Sequence, residues 1–214
     1  TSDISEVYFK TRGVNMNIGI MGGTFSPIHN GHLILSEYIR ESINLDKVIF
    51  IPTGIPPHKS FKYVLDGQIR KKMVELAIDS NPYFTVSTIE IDRVDTSYTI
   101  DTITQLKKIY PKDNLFMIIG ADSLLDLHMW KDFKKLITMV DFVVADRHGS
   151  NGAKVTNRIE ELNKMFNSNI IKVDTPIIDI SSTMIRENIN KGLSIKYLVP
   201  EAVEEYIEKN HLYR

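Results

Sequence analysis

The sequence predicts an α/β fold: a three-layer sandwich on a mostly parallel sheet, with C-terminal helices packed on or beside it. Three observations carry that prediction. Short, nearly continuous apolar runs such as 47–51 and 114–119 suit strands buried on both faces, as a parallel sheet requires. These runs alternate with longer segments whose apolar residues recur at helical spacing. Glycine- and proline-bearing loops follow the strands, and no repeat or low-complexity linker breaks the order. Such alternation implies a Rossmann-like arrangement with crossover helices.

Each element has its own signal. Residues 17–21 form a short buried strand, and a Gly22-Gly23 turn stiffened by Pro27 leads into a helix through about Arg40. Residues 47–51 are a strand stopped by Pro52, followed by a proline-rich loop over 53–59. A helix over 66–80 has Ile69, Met73, Leu76 and Ala77 on one face and ends at Asn81-Pro82. Residues 84–87 are a strand, and Ser97-Tyr98-Thr99 opens a helix to about Tyr110, stopped by Pro111. The strand over 114–119 ends at Gly120-Ala121-Asp122, and the region 124–136 reads as two short helices. A strand over 141–145, a helix over 155–166 and a strand over 170–173 follow. Ser181-Ser182-Thr183 starts a helix ending near Gly192, and a last helix covers 200–209.

Composition narrows the function. The 214 residues, 43% of them apolar, suffice for one sizeable domain with a full core. The first 15 residues are polar and aperiodic, and Met16 opens directly into the first strand. We therefore expect an N-terminal extension or cloning remnant over 1–15 and a single domain over 16–214. With 26 basic and 27 acidic residues, there is no global electrostatic case for nucleic-acid or membrane binding. No apolar run approaches the length of a membrane span. The absence of cysteine excludes disulfides and thiolate chemistry and fits a cytoplasmic location.

Every unusual loop falls at a strand's carboxyl end, where ligands bind in folds of this kind. The loop over 22–32 joins a glycine turn to a helix start carrying His29 and His32. Helix-start N–H groups and the helix dipole favour phosphate there. Alone, a His-x-x-His pair is more often structural, and zinc would want a third ligand with suitable spacing, which is lacking. Ser181-Ser182 reads alone as a helix cap. Arg186, one turn on, adds a forked cation, and two anion sites suit a polyphosphate better than one phosphate. Lys59 supplies another cation. Trp130 alone is usually core, but beside Lys131 it also suits stacking on a flat ring. Tyr98 and Thr99 read as caps or ligand contacts, and Asp122 as a cap or a ribose contact.

These residues match a known pattern. The run Gly22-Gly23-Thr24-Phe25-Ser26-Pro27-Ile28-His29-Asn30-Gly31-His32, with Ile180-Ser181-Ser182-Thr183-Met184-Ile185-Arg186, resembles the nucleotidyltransferase superfamily with a His-x-Gly-His signature. Pro56-Pro57-His58-Lys59, Ser97-Tyr98-Thr99, Gly120-Ala121-Asp122 and Trp130-Lys131 are similar to its bacterial nicotinate-nucleotide adenylyltransferase branch. The resemblance runs from Met16 to the C-terminus. Two positions depart from that branch: Ser26 stands where aspartate is usual, and His148 interrupts a common Arg-Pro-Gly.

The resemblance implies adenylyl transfer from ATP to nicotinate mononucleotide in NAD biosynthesis, giving nicotinate adenine dinucleotide and pyrophosphate. It implies magnesium held mainly by ATP phosphates and water, with no metal ligands from the protein. It implies catalytic roles for His29, His32 and Arg186. ATP would meet Gly22, Gly23, Thr24, Phe25, Gly31, Gly120, Asp122, Ser181 and Ser182. The acceptor would meet Lys59, Tyr98, Thr99, Trp130 and Arg147. Self-association is common among related enzymes, though the sequence leaves oligomeric state open. Two alternatives remain at this level: a pantetheine-phosphate adenylyltransferase, and a non-catalytic nucleotide-binding regulator.

Overall fold

The computed structural model describes residues 15–55, 64–147 and 152–214. Among these, six strands form one sheet: β1 (Asn17–Gly23), β2 (Lys47–Pro52), β3 (Phe84–Val86), β4 (Asn114–Gly120), β5 (Asp141–Arg147) and β6 (Ile170–Thr175). Their order is β3-β2-β1-β4-β5-β6, and every pairing is parallel. The expected mostly parallel sheet is thus wholly parallel among the described residues. Strand order reverses between β1 and β4, which opens a crevice outside their carboxyl ends. Gly22 and Gly23 run past the last β4 partner of β1, Ile118, so the turn after β1 projects into that crevice.

The crossovers supply α1 (Asn30–Ser42), α2 (Gly67–Ile78), α3 (Thr99–Ile109), α4 (Ala121–Leu125), α5 (Phe133–Met139) and α6 (Gly152–Phe166), and α7 (Ser182–Asn190) and α8 (Glu201–Lys209) follow β6. They divide into two layers because strand side chains alternate between sheet faces. Ile18 and Ile20 point into one core with Ile103 of α3, Leu136 of α5 and Leu162 of α6. Met21 points into the other, with Ile39 of α1, Met73 of α2, Ile185 of α7 and Val203 of α8. The three-layer sandwich follows.

Two sequence expectations are refined. The region 124–136 holds the two expected short helices, α4 and α5, with a 3-10 turn over Leu127–Met129 between them. Asp132, the N-cap of α5, adopts φ 52°, a left-handed conformation that an aspartate tolerates. The buried face of α2 is Arg70, Met73, Val74, Ala77 and Ile78, while Ile69 and Leu76 pack at its margin. An arginine therefore occupies a core-facing position. Asp66 caps α2, accepting from the Gln68 N–H at 2.8 Å.

Phe142, the second residue of β5, is fully buried. Phe142→Ala should cost about 3–5 kcal/mol through lost transfer energy and a residual cavity. Urea denaturation checks this, and a loss below about 1 kcal/mol would mean that the site collapses around the smaller side chain.

Candidate active site

A cavity of about 940 Å³ lies outside the carboxyl ends of β1, β2 and β4. Gly22, Gly23, Thr24, Tyr98, Thr99, Asp122 and Trp130 all line it. The fold thus brings together seven of the site residues that the sequence singles out. Trp130 lines the cavity and packs against the α3–α6 core. Lys131 lies over the Tyr98 ring at 4.2 Å and pairs with Asp101 at 3.5 Å, which braces the start of α3.

A second cluster adjoins the first through the turn from β1 to α1. His29 is the N-cap of α1 and His32 sits three positions on. Their rings stack with centroids 3.6 Å apart. The His29 N–H donates to His32 Nδ1 at 3.3 Å, so a neutral His32 ring carries its proton on Nε2. The Phe25 ring meets His32 edge-on at 5.0 Å and packs against Phe50 at 5.9 Å. Gly23 is required for that packing, because a Cβ there would approach the Phe25 ring to 2.8 Å. Gly31 lies in the first turn of α1, beside His29.

The α7 residues meet this turn from the other side. Ser181 caps α7, its Oγ accepting from the Met184 N–H at 3.1 Å. Ser182 Oγ donates to the Pro27 carbonyl at 2.8 Å. Arg186 donates through Nη1 to the Ser26 carbonyl at 2.8 Å and through Nη2 to Thr183 Oγ1 at 3.1 Å. These bonds engage two of five guanidinium donors. Ser26, the departure from the expected aspartate, shares a hydrogen bond with the Tyr213 hydroxyl at 3.0 Å. Burial pushes that phenol well above its ordinary value, against the Ser26 bond and the nearby Arg186 and Arg70 charges.

Gly120 closes β4 beside the crevice, and Arg147 is the last residue of β5. Lys59, with Pro56, Pro57 and His58, lies outside the described residues, as do His148 and Gly149. Among the described residues, no cluster of three or more His, Asp and Glu side chains is arranged to hold a metal ion. None of their helices is long and apolar enough to cross a membrane.

Sequence reasoning missed Glu90. It lies in a charged stretch without periodicity, after β3, yet its carboxyl lines the cavity. Thr102 Oγ1 donates to Glu90 Oε1 at 2.7 Å, tying the wall to α3. A Cβ on Gly54 would collide with the Glu90 carbonyl and reach within 2.7 Å of Ser97 Oγ, so the loop after β2 approaches this closely only with glycine. Ser97 is buried, and its Oγ has no hydrogen-bond partner among the described residues. Burial raises the Glu90 carboxyl above its ordinary 4.5, opposed by Thr102, the Gly54 N–H, Arg93 and Arg70.

A raised carboxyl holds its proton more tightly in the folded state than in the unfolded chain. Between the ordinary value and the raised one the folded state binds more protons, so stability falls as pH rises. Relative to Glu90→Gln, the wild type should lose stability from pH 4.5 upward, through the raised value. Denaturation midpoints of the two proteins across that range test this, and a difference independent of pH contradicts it.

With this geometry in hand, comparisons with known proteins become informative. Residues 20–188 match the cytidylyltransferase-like family. A probable nicotinate-nucleotide adenylyltransferase of Thermoanaerobacter sp. is 48% identical over 200 residues, covering 93% of this chain and 95% of the relative. One from Dictyoglomus turgidum is 45% identical, covering 92% of this chain and 96% of the relative. Among solved structures, a Plasmodium falciparum nicotinic acid mononucleotide adenylyltransferase complexed with NaAD is similar with a TM-score of 0.77. The identity is 20%, the match covers 93% of this chain and 98% of that one, and it bears on the fold alone.

Proposed function

The chain belongs to the cytidylyltransferase-like family, among its nicotinate-nucleotide adenylyltransferases, and on that premise we propose how its residues carry the reaction. The enzyme transfers the adenylyl group of ATP to nicotinate mononucleotide, giving nicotinate adenine dinucleotide and pyrophosphate. A phosphate oxygen of the mononucleotide attacks the α-phosphorus of ATP as the bond to the bridging oxygen of pyrophosphate breaks. No covalent enzyme intermediate is needed, so catalysis consists of positioning and charge stabilisation.

The observation that carries this reading is the junction of a stacked histidine pair, at the start of α1, with a cavity lined by the β1–α1 turn and by Trp130. ATP lies with its phosphates over Gly22, Gly23, Thr24, Phe25 and Gly31, between His29, His32 and α7. His32 Nε2–H donates to the departing pyrophosphate, where negative charge grows in the transition state. Ser181 and Ser182 at the start of α7 face the β- and γ-phosphates, with the remaining Arg186 donors. Gly120 and Asp122 receive the adenosine ribose. Trp130 stacks on the pyridine ring of the acceptor beside Tyr98 and Thr99, and Lys59 and Arg147 are assigned to the same substrate.

The donors around the β1–α1 turn are N–H and hydroxyl groups, suited to phosphate oxygens and not to a cation. Magnesium would therefore arrive on the ATP phosphates, with water completing its shell, and neutralise part of their charge. Residues 16–214 constitute the transferase domain in this reading, and the cysteine-free composition supports a cytoplasmic enzyme.

Pyrophosphate release from ATP with magnesium and a panel of acceptors tests the assignment. Turnover is expected with nicotinate mononucleotide. Turnover only with phosphopantetheine, or with no acceptor at all, sinks it. His32→Ala should lower kcat by about 100–1000-fold, as loss of one transition-state donor does, with little change in acceptor KM. An unchanged kcat removes His32 from the chemistry. Trp130→Ala should raise acceptor KM by up to about tenfold, the scale of one aromatic stacking contact. A loss of ATP affinity alone would contradict the stacking role.

A further inference from the structure

Phe25 is a bulky residue at φ 48°, and it stands in the turn between Thr24 and His29. A non-glycine residue in this region is strained and persists only where its surroundings over-determine it. Both carbonyls that flank Phe25 are held by arginines from different helices. Arg70 of α2 donates through Nη1 to the Thr24 carbonyl at 2.8 Å, and Arg186 of α7 donates to the Ser26 carbonyl at 2.8 Å. Arg70 also donates through Nε to the Leu65 carbonyl at 2.8 Å. Leu65 N–H reaches Ser26 Oγ at 3.4 Å, which closes a ring of contacts around the turn.

Arg70 is 3% exposed and does not line the cavity. Burying a guanidinium is costly unless its donors are matched, and burial lowers its pKa against the nearby Tyr213, Asp66 and Glu90 charges. A core-facing arginine spent on loop carbonyls has a use beyond packing. In a planar trans peptide the N–H points opposite to the carbonyl. Fixing the Thr24 carbonyl therefore fixes the direction of the Phe25 N–H. It also sets the Phe25 ring, which packs edge-on against His32.

We propose that Arg70 is a positioning residue for nucleotidyl transfer: by clamping the Thr24 and Leu65 carbonyls it holds Phe25 in its left-handed conformation and so aims the Phe25 N–H and the His32 ring at the ATP phosphates. Its action is on the ATP side of the site and does not extend to Trp130. The proposal rests on the assignment of ATP to the β1–α1 turn.

The test compares Arg70→Lys, Arg70→Met and a core control, Leu162→Ala, in the opposite helix layer. Lysine keeps the charge but cannot clamp two carbonyls with one planar fork, and methionine keeps only the packing. Both Arg70 variants should lower kcat/KM for ATP by about 10–100-fold, the usual consequence of a small misplacement in a reacting site, with acceptor KM within about twofold. Leu162→Ala should match their loss of Tm while leaving kcat within about twofold. The clamp is refuted if Arg70→Lys is as active as wild type, if the acceptor KM rises instead, or if the control loses as much activity. Should neither Arg70 variant fold, NMR of the wild type decides. The Arg70 Nε–H signal should exchange slowly and shift when a non-hydrolysable ATP analogue is added, but not with nicotinate mononucleotide; fast exchange or no shift overturns the proposal. A wild type that binds no ATP in calorimetry would instead refute the site assignment itself.

Discussion

Parallel pairing of β1 with both β2 and β4 is the constraint on which the rest of the structure depends. Because every strand runs the same way, every carboxyl end opens on one side. Because strand order reverses at β1, the loops on either side diverge and leave a crevice between them. The glycine turn after β1, the Asp122 helix start after β4 and the loop after β2 thus reach one cavity though far apart in sequence. Without the reversal those loops would cross over the sheet edge, and no pocket of this size would form.

Within that crevice the protein divides its work between two kinds of group. Tyr98, Trp130 and Glu90 line the cavity. Groups behind the β1–α1 turn, Arg70, Ser182 and Arg186, satisfy backbone carbonyls. Anchoring the Thr24 carbonyl also fixes the Phe25 N–H on the opposite edge of that peptide. A site whose chemistry is positioning needs this second set as much as the first, since small displacements of donors are expensive in rate.

Much of this was legible in the residues. Continuous apolar strands, their alternation with helices and the glycine- and proline-bearing loops led to the sandwich. The His29–His32 spacing led to a shared helix face, and the structure stacks those rings. Legibility failed where local pattern and tertiary environment part company. Glu90 carries no periodic signal, because a loop residue is placed by what closes over it: here Gly54, Ser97 and Thr102. The two helices of the 124–136 region were legible, but the 3-10 turn between them and the left-handed Asp132 before α5 are not encoded by propensity. Arg70 did leave a trace, a cation three residues before Met73 on the buried stripe of α2, but helical spacing alone could not say what it served.

By itself, the sequence determined the fold class, the position of the glycine turn after β1 and the family, because each depends on short-range order: strand runs, a strand–turn–helix step, motif spacing. The tertiary structure alone decided which loops share a cavity, that Arg186 and Ser182 reach the carbonyls of a turn more than 150 residues earlier, and that Arg70 braces it from the other side. Those contacts arise from the packing of helices on opposite flanks of one turn, and no local pattern records how two distant helices meet.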